Sequence, residues 1–193
     1  MDGNEIERFY PKSISDWREW LQQNHCSRSA VWVVFYSQSS GKPTISWSEA
    51  VDVALCFGWI DSKKVKLDDE SSLQYFSKRK AKSTWSKINK EKVDRLIKAG
   101  EMTEAGLKAV GIAKSNGSWS ILDGVEALLV PEDLQAQFEM NPGAEEFFHS
   151  LSRSDRKAIL HRIALSGLPA TREKRISEAV SALVKKLNPR RPL

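Results

Sequence analysis

Ser46-Trp47-Ser48-Glu49 opens the stretch that most constrains this chain. A serine followed three residues later by a glutamate is a capping box: the hydroxyl accepts from the Glu49 amide while the carboxylate accepts from the Ser46 amide. Trp47, Ala50, Val51, Ala54 and Leu55 then fall at i, i+3, i+4, i+7 and i+8, an apolar stripe of helical period. Gly58 stops that helix, and Trp59-Ile60-Asp61 follows at once. The segment predicts a buried helix that ends in a corner walled by tryptophan, with one carboxylate at its rim. Any fold must pack other elements against it.

The neighbouring sequence supplies them. Ser15 or Asp16 is expected to cap a short helix in which Trp17, Trp20 and Leu21 share a face. Val31-Trp32-Val33-Val34-Phe35-Tyr36 is β-branched and aromatic, of strand length, and is ended by Ser39-Ser40-Gly41-Lys42-Pro43. Val65-Lys66-Leu67 and Leu73-Gln74-Tyr75-Phe76 flank a polar tip and read as a hairpin. These elements imply an α+β fold, a small antiparallel β-sheet packed with helices. Downstream, Ser83–Gly100 is helical in its later part, with Ile88, Val93, Leu96 and Ile97 inward and Gly100 as its stop. Thr103 caps a helix carrying Leu107, Val110 and Ala113. Residues 118–130 read as an irregular connection over apolar Trp119, Ile121, Leu122 and Val125, and Pro131 opens an acidic helix.

After Asn141-Pro142-Gly143 the chain turns helical. Ser152 caps a segment with Ile159 and Ile163, and Ile176, Ala179, Val180, Leu183 and Leu187 keep a helical rhythm near the end. The expected division is an N-terminal α+β domain at 1–142, with the small sheet and a basic turn, and a C-terminal helical subdomain at 143–193.

The 40% hydrophobic content supports a real core. No apolar run is long enough to span a bilayer, and Asp2, Glu5 and Glu7 replace the basic start of a secretory signal. Cys26 and Cys56 have neither metal-ligand nor redox spacing, which points to a reducing, cytoplasmic setting. Cys56, at the end of an apolar helix, reads as an inert buried thiol. His25, His149 and His161 form no zinc or nucleophile–base signature, and no glycine-rich phosphate loop follows a strand. No cofactor and no metal are expected, and no catalytic residue is assigned.

Charge is unevenly spread. Residues 62–98 hold twelve Lys or Arg against five Asp or Glu, while residues 99–149 hold two against nine. The dense basic run, Lys78-Arg79-Lys80-Ala81-Lys82, leads into Ser83, Trp85 and Asn89. Asp61 and this run suggest a ligand site drawn from Trp59, Asp61, Arg79, Ser83, Trp85 and Asn89, with Lys78, Lys80 and Lys82 as further anion contacts. Asp61 would accept hydrogen bonds, Arg79 would hold an anionic group, and the rings would supply apolar contact. The plain readings stand beside it: a turn-capping Asp61 and a solvated basic face. The expected partner is a small anionic or polar ligand. Nucleic acid on the 78–92 surface is the lesser candidate, since no recognition-helix pattern is present. An enzyme using Asp61 as a base would need burial to raise its pKa. Oligomeric state is not encoded in any of these patterns.

The chain resembles the YdeI/OmpD-associated family, described as bacteriocin-protection proteins. The resemblance rests on Trp17-Arg18-Glu19-Trp20-Leu21, Val31–Phe35, the string Glu49–Asp61, Lys78–Asn89 and Met102–Gly106. It continues in the helical tail through Leu151–Lys157 and Ala170–Ile176. Where a proline is familiar between the hairpin and the basic turn, this chain has Ser77-Lys78. The resemblance implies a bacterial protein of the cytoplasm with a role in stress or bacteriocin tolerance. It brings no agreed catalytic residues or substrate.

Overall fold

The capping box at Ser46 forms as its spacing requires. In a computed structural model, Ser46 Oγ accepts from the Glu49 amide at 3.2 Å and Glu49 Oε2 accepts from the Ser46 amide at 2.8 Å. The structure describes residues 6–187, without the Leu187 side chain; Asp2, Glu5 and the Leu187 end of the final apolar stripe lie outside the described residues.

Helix α2 (Trp47–Cys56) buries Ala50, Val51, Val53, Ala54, Leu55 and Cys56. Its stripe is broader than the period-3.6 pattern because elements pack on more than one side. Trp47 is the exception: it is 51% exposed on the first turn. Helix α1 (Ile14–Asn24) buries Trp17, Trp20 and Leu21. Its cap is Ser13, not Ser15 or Asp16, because Asp16 takes the N3 position and donates its amide to Ser13 Oγ. Trp17 Nε1 donates to the Ala50 carbonyl at 3.0 Å, tying α1 to α2. A fully buried indole removes on the order of 200 Å² from water, roughly 5 kcal/mol before entropy is subtracted.

The sheet runs in the order β1-β2-β4-β3, with β1 at Arg8–Phe9, β2 at Ala30–Tyr36, β3 at Trp59–Lys66 and β4 at Ser71–Lys78. β2, β4 and β3 pair antiparallel, as the hairpin pattern predicts. β1 lies parallel to β2, which makes the sheet mixed. A two-residue strand is too short to show a period, so it could not be read from sequence. Val31, Val33, Phe76 and Trp59 join the helices in one core. The other face carries Trp32 and Tyr75, edge to face at 5.0 Å, with Lys63 over both rings. Register slips between Asp61 and Lys64, an irregularity that separates Asp61 from the regular hairpin beyond it.

Helix α3 (Lys87–Lys98) is capped by Ser86 and buries Val93 and Leu96; Ile88 and Ile97 are exposed. Helix α4 (Glu104–Ser115), capped by Thr103, buries Gly106, Val110 and Ala113 and leaves Leu107 in solvent. Its approach to α2 is close. Thr103 Oγ1 donates to the Cys56 carbonyl at 2.6 Å, and a Cβ built on Gly106 would lie 2.3 Å from that same oxygen. Only glycine fits there.

Met1–Trp119 and Ser120–Leu193 are the two compact units. The second consists of α5 (Asp123–Glu126), α6 (Glu132–Glu139), α7 (Ala144–Ser150), α8 (Arg153–Ala164) and α9 (Pro169–Leu187). Leu122, Val125, Leu134 and Phe138, all before residue 143, bury into the same core as Phe148, Leu160, Ile163 and Val180. The stretch 118–130 holds the short helix α5, and Ile121 within it is 42% exposed. Ser152 caps α8 as expected.

Candidate functional site

The corner after α2 and the basic turn after β4 meet. Gly58 takes φ +72°, a left-handed conformation that reverses the chain into β3. The Arg79 amide then donates to the Gly58 carbonyl at 2.9 Å, pinning the start of the basic turn to the corner. Between them and α4 lies a cleft of about 440 Å³ lined by Phe57, Gly58, Trp59, Lys78, Arg79, Lys80 and Trp85. Ala105, Lys108, Ala109 and Ile112 form its wall on α4, and His25 and Cys26 stand at its edge.

Arg79 is the centre of the cleft's electrostatics. Its guanidinium carbon sits 3.6 Å from the Trp85 ring centre, and Nη1 donates to the Thr84 carbonyl at 3.1 Å. Its Nε is buried with no acceptor among the described residues. Burial pulls its pKa down to about 10, against the opposing pull of the Asp61 carboxylate acting through space. The group stays charged at neutral pH, yet one charged N–H is left without the acceptor that a buried cation requires. Trp59 is fully buried, and its Nε1 also has no partner among the described residues. The charged side chains lining the cleft are Lys78, Arg79, Lys80 and Lys108; no carboxylate is among its described lining residues.

Of the residues expected from sequence, Trp59, Arg79, Trp85, Lys78 and Lys80 come together here. Asp61 does not line the cleft. It lies in a wider recess of about 1100 Å³, where Oδ2 accepts from Trp47 Nε1 at 2.8 Å and from Gln74 Nε2 at 3.2 Å. The half-exposed Trp47 indole serves as this donor at the helix start. Ser83 closes the basic turn by donating its amide to the Lys80 carbonyl at 2.9 Å, and Lys82 is exposed within that turn. Asn89 sits in the first turn of α3 with its amide on the Ser86 hydroxyl. None of these three lines the cleft.

Lys108, His25 and Cys26 were not anticipated. A signal for Lys108 existed: Ala105, Lys108, Ala109 and Ile112 fall at i, i+3, i+4 and i+7, one helical face with small residues beside a cation. His25 and Cys26 follow the end of α1, and long-range contacts bring them in: Lys78 Nζ donates to the Cys26 carbonyl at 2.6 Å, and the His25 ring packs on Phe57. Cys56 is buried, and burial pushes its thiol pKa up, as an inert thiol requires. Among the described residues no cluster of three metal-ligating side chains occurs, and no helix is long and apolar enough to cross a membrane.

The geometry defines an α+β unit with a cationic, tryptophan-walled cleft, followed in sequence by a helical unit. The chain belongs to a family of unknown function: residues 9–109, more than half of its length, match the family described as Domain of unknown function (DUF8412). Residues 127–186 match the family described as Bacteriocin-protection, YdeI or OmpD-Associated. The tail motifs that carry the sequence resemblance fall inside that second match. No curated protein and no solved structure matches the chain.

Proposed function

We propose that the unit at residues 1–119 is a non-enzymatic binding module for a small anionic ligand, a carboxylate or phosphate ester with a flat apolar part. The observation that carries this reading is the Arg79 guanidinium, whose Nε is buried without an acceptor among the described residues, in a cleft whose charged lining residues among those described are all cations. An anion in the cleft would pair with the incompletely satisfied guanidinium charge, and a charge-assisted hydrogen bond is roughly twice as strong as a neutral one. The volume lies within the range of about 300–1,000 Å³ common for small-molecule sites. Ala105, Ala109 and Ile112 on α4 offer the apolar contact, while Trp59 and Trp85 are buried behind the cleft wall. The protective role named for the family that residues 127–186 match is, on this reading, exercised through such a ligand.

A screen of small carboxylates and phosphates, read as a shift in thermal unfolding by tryptophan fluorescence, tests the proposal. A ligand at 100 times its Kd should stabilise the native unit by about 2.7 kcal/mol. Its affinity should fall about tenfold or more in Arg79→Gln and several-fold in Lys108→Ala, and it should weaken with salt. Asp61→Asn should leave affinity unchanged or slightly raised, because the carboxylate lies outside the cleft and competes for Arg79 only through space. If no anion stabilises the protein, or if Arg79→Gln binds as well as the parent, the proposal fails. A killing assay on cells carrying Arg79→Gln in place of the parent chain tests the link to protection.

A further inference from the structure

His25 and Cys26 lie at the edge of the cleft in an arrangement the binding role does not use. His25 Nδ1 is 2.9 Å from the Leu21 carbonyl oxygen, which can only accept. The neutral imidazole must therefore carry its proton on Nδ1, and Nε2 presents a lone pair. Cys26 Sγ lies 3.2 Å from that Nε2. The ring is further held against Phe57, with centres 5.2 Å apart. The Cys26 side chain is exposed. A nucleophile, a base within reach, and a third group orienting the base are the parts of an activated thiol.

We propose that His25 and Cys26 form a thiol-exchange site at the mouth of the cleft, where Cys26 takes up one half of an anionic, low-molecular-weight disulfide. The charge preference rests on the reading of the cleft as an anion site; the reactivity of the thiol does not. Cys26 follows the carbonyl end of α1, so the imidazole and not a helix dipole has to take the proton. His25 Nε2 accepts the thiol proton as Sγ attacks one sulfur of the disulfide. The disulfide's own S–S bond breaks, and a bond forms between Cys26 Sγ and the attacked sulfur. The other half leaves as a thiolate, which recovers the proton from Nε2 and departs as a free thiol. The incoming disulfide is the oxidant, and no other reactant is needed. Lys78, Arg79, Lys80 and Lys108 face the carboxylates of such a molecule. Cys56, buried in the core, is shielded from the same reaction. A half-molecule bonded to Cys26 would lie across the cleft and compete with any free anion for it, so that the redox state of small thiols would control access to the binding site.

The test follows mixed-disulfide formation at Cys26 by intact-mass spectrometry and peptide mapping, with three probes: oxidised glutathione (anionic), hydroxyethyl disulfide (neutral) and cystamine (cationic). At low ionic strength the anionic probe should react at least about tenfold faster than the cationic one, and salt should close the gap. His25→Gln should slow all three by on the order of a hundredfold, the usual scale of general-base assistance. Arg79→Gln should slow the anionic probe alone, and Cys56 should stay unmodified throughout. Equal rates for the three probes on the unmutated protein overturn the charge-directed site whatever the variants do, and an unchanged rate in folded His25→Gln overturns the base. Anion affinity measured in parallel on Cys26→Ser separates the two readings. If anions bind there but exchange shows no preference, this inference fails and the binding role stands; if exchange is selective but no anion binds stably, the binding role fails.

Discussion

Gly106→Ala and Gly111→Ala, five residues apart in α4, should change stability in opposite directions. Alanine is favoured over glycine in a helix interior by about 0.8–1.0 kcal/mol; Gly111 receives that gain in mid-helix, and Gly106, in the first turn, receives at most as much. At Gly111 a new Cβ meets nothing among the described residues within 4 Å. The gain should appear nearly whole, a stabilisation of up to about 1 kcal/mol. At Gly106 the new Cβ would lie 2.3 Å from the Cys56 carbonyl oxygen, 2.7 Å from its carbon and 2.8 Å from the Leu55 carbonyl oxygen, all of them backbone. Carbon–oxygen contacts normally start near ~3.3 Å, so α4 would have to retreat by about 1 Å. That retreat strains the two hydrogen bonds from Thr103 to the Cys56 carbonyl, at 2.6 and 3.1 Å. Overpacking of this kind costs about 1–3 kcal/mol, and each weakened bond adds up to about 1 kcal/mol. The net loss should be about 1–3 kcal/mol, and the two variants should differ by roughly 2–4 kcal/mol. Urea unfolding followed by tryptophan fluorescence reads this cleanly, because all seven tryptophans lie within residues 1–119. The denaturant slope should stay constant, which shows that the change is in stability alone. A Gly106→Ala protein as stable as the parent, beside a stabilised Gly111→Ala, would refute the close approach of α4 to the end of α2. With it would go the geometry that sets Lys108 in the cleft wall.

Asp52 accepts from Lys92 Nζ and from Arg95 Nη2, both at 2.7 Å, with the Lys92 side chain only 12% exposed. Asp52→Asn should cost about 1.5–3 kcal/mol in the same urea assay; no change would mean that the Lys92 ammonium finds water instead. Ser46→Ala, which removes one arm of the capping box, should cost about 1 kcal/mol, and a neutral result would show that the box adds nothing to a helix already held by its core. In the second unit, the Arg172 guanidinium holds the Asp133 carboxyl below its usual value, chiefly by hydrogen bonding. A depressed folded pKa means this stabilisation is complete above the unfolded value, about 3.9, and is lost as pH falls through the lower folded one. Both side chains are well solvated, so the effect is modest. Protection of the α9 amides, corrected for the intrinsic pH dependence of exchange, should therefore fall on acidification more in the parent than in Arg172→Gln, and identical corrected profiles would refute the coupling.

Short-range chemistry was legible along the chain. The box at Ser46 and Glu49, the left-handed stop at Gly58, the caps at Thr103 and Ser152 and the hairpin all depend on residues within a few positions of one another. Their hydrogen bonds and φ angles are local, and spacing alone determines them. The basic turn and the tryptophan corner were also recognisable as separate features. What spacing could not supply was which features face each other. Trp59 and Asp61 are two residues apart, yet Trp59 lines the cleft while Asp61 lines the recess beside Trp47 and Gln74. The 3.6-residue period marked Trp47 as buried, but burial depends on what packs over a side chain, and at the first turn of α2 Trp47 borders an open recess. Lys108, His25 and Cys26 join the cleft through contacts that span dozens of residues: Gly106 under Cys56, and Lys78 on the Cys26 carbonyl. Such contacts are made only when packing closes the core. The sequence by itself determined the elements and their ends; the tertiary structure decided which charges share a cleft, because that follows from packed helices and sheet and not from order along the chain.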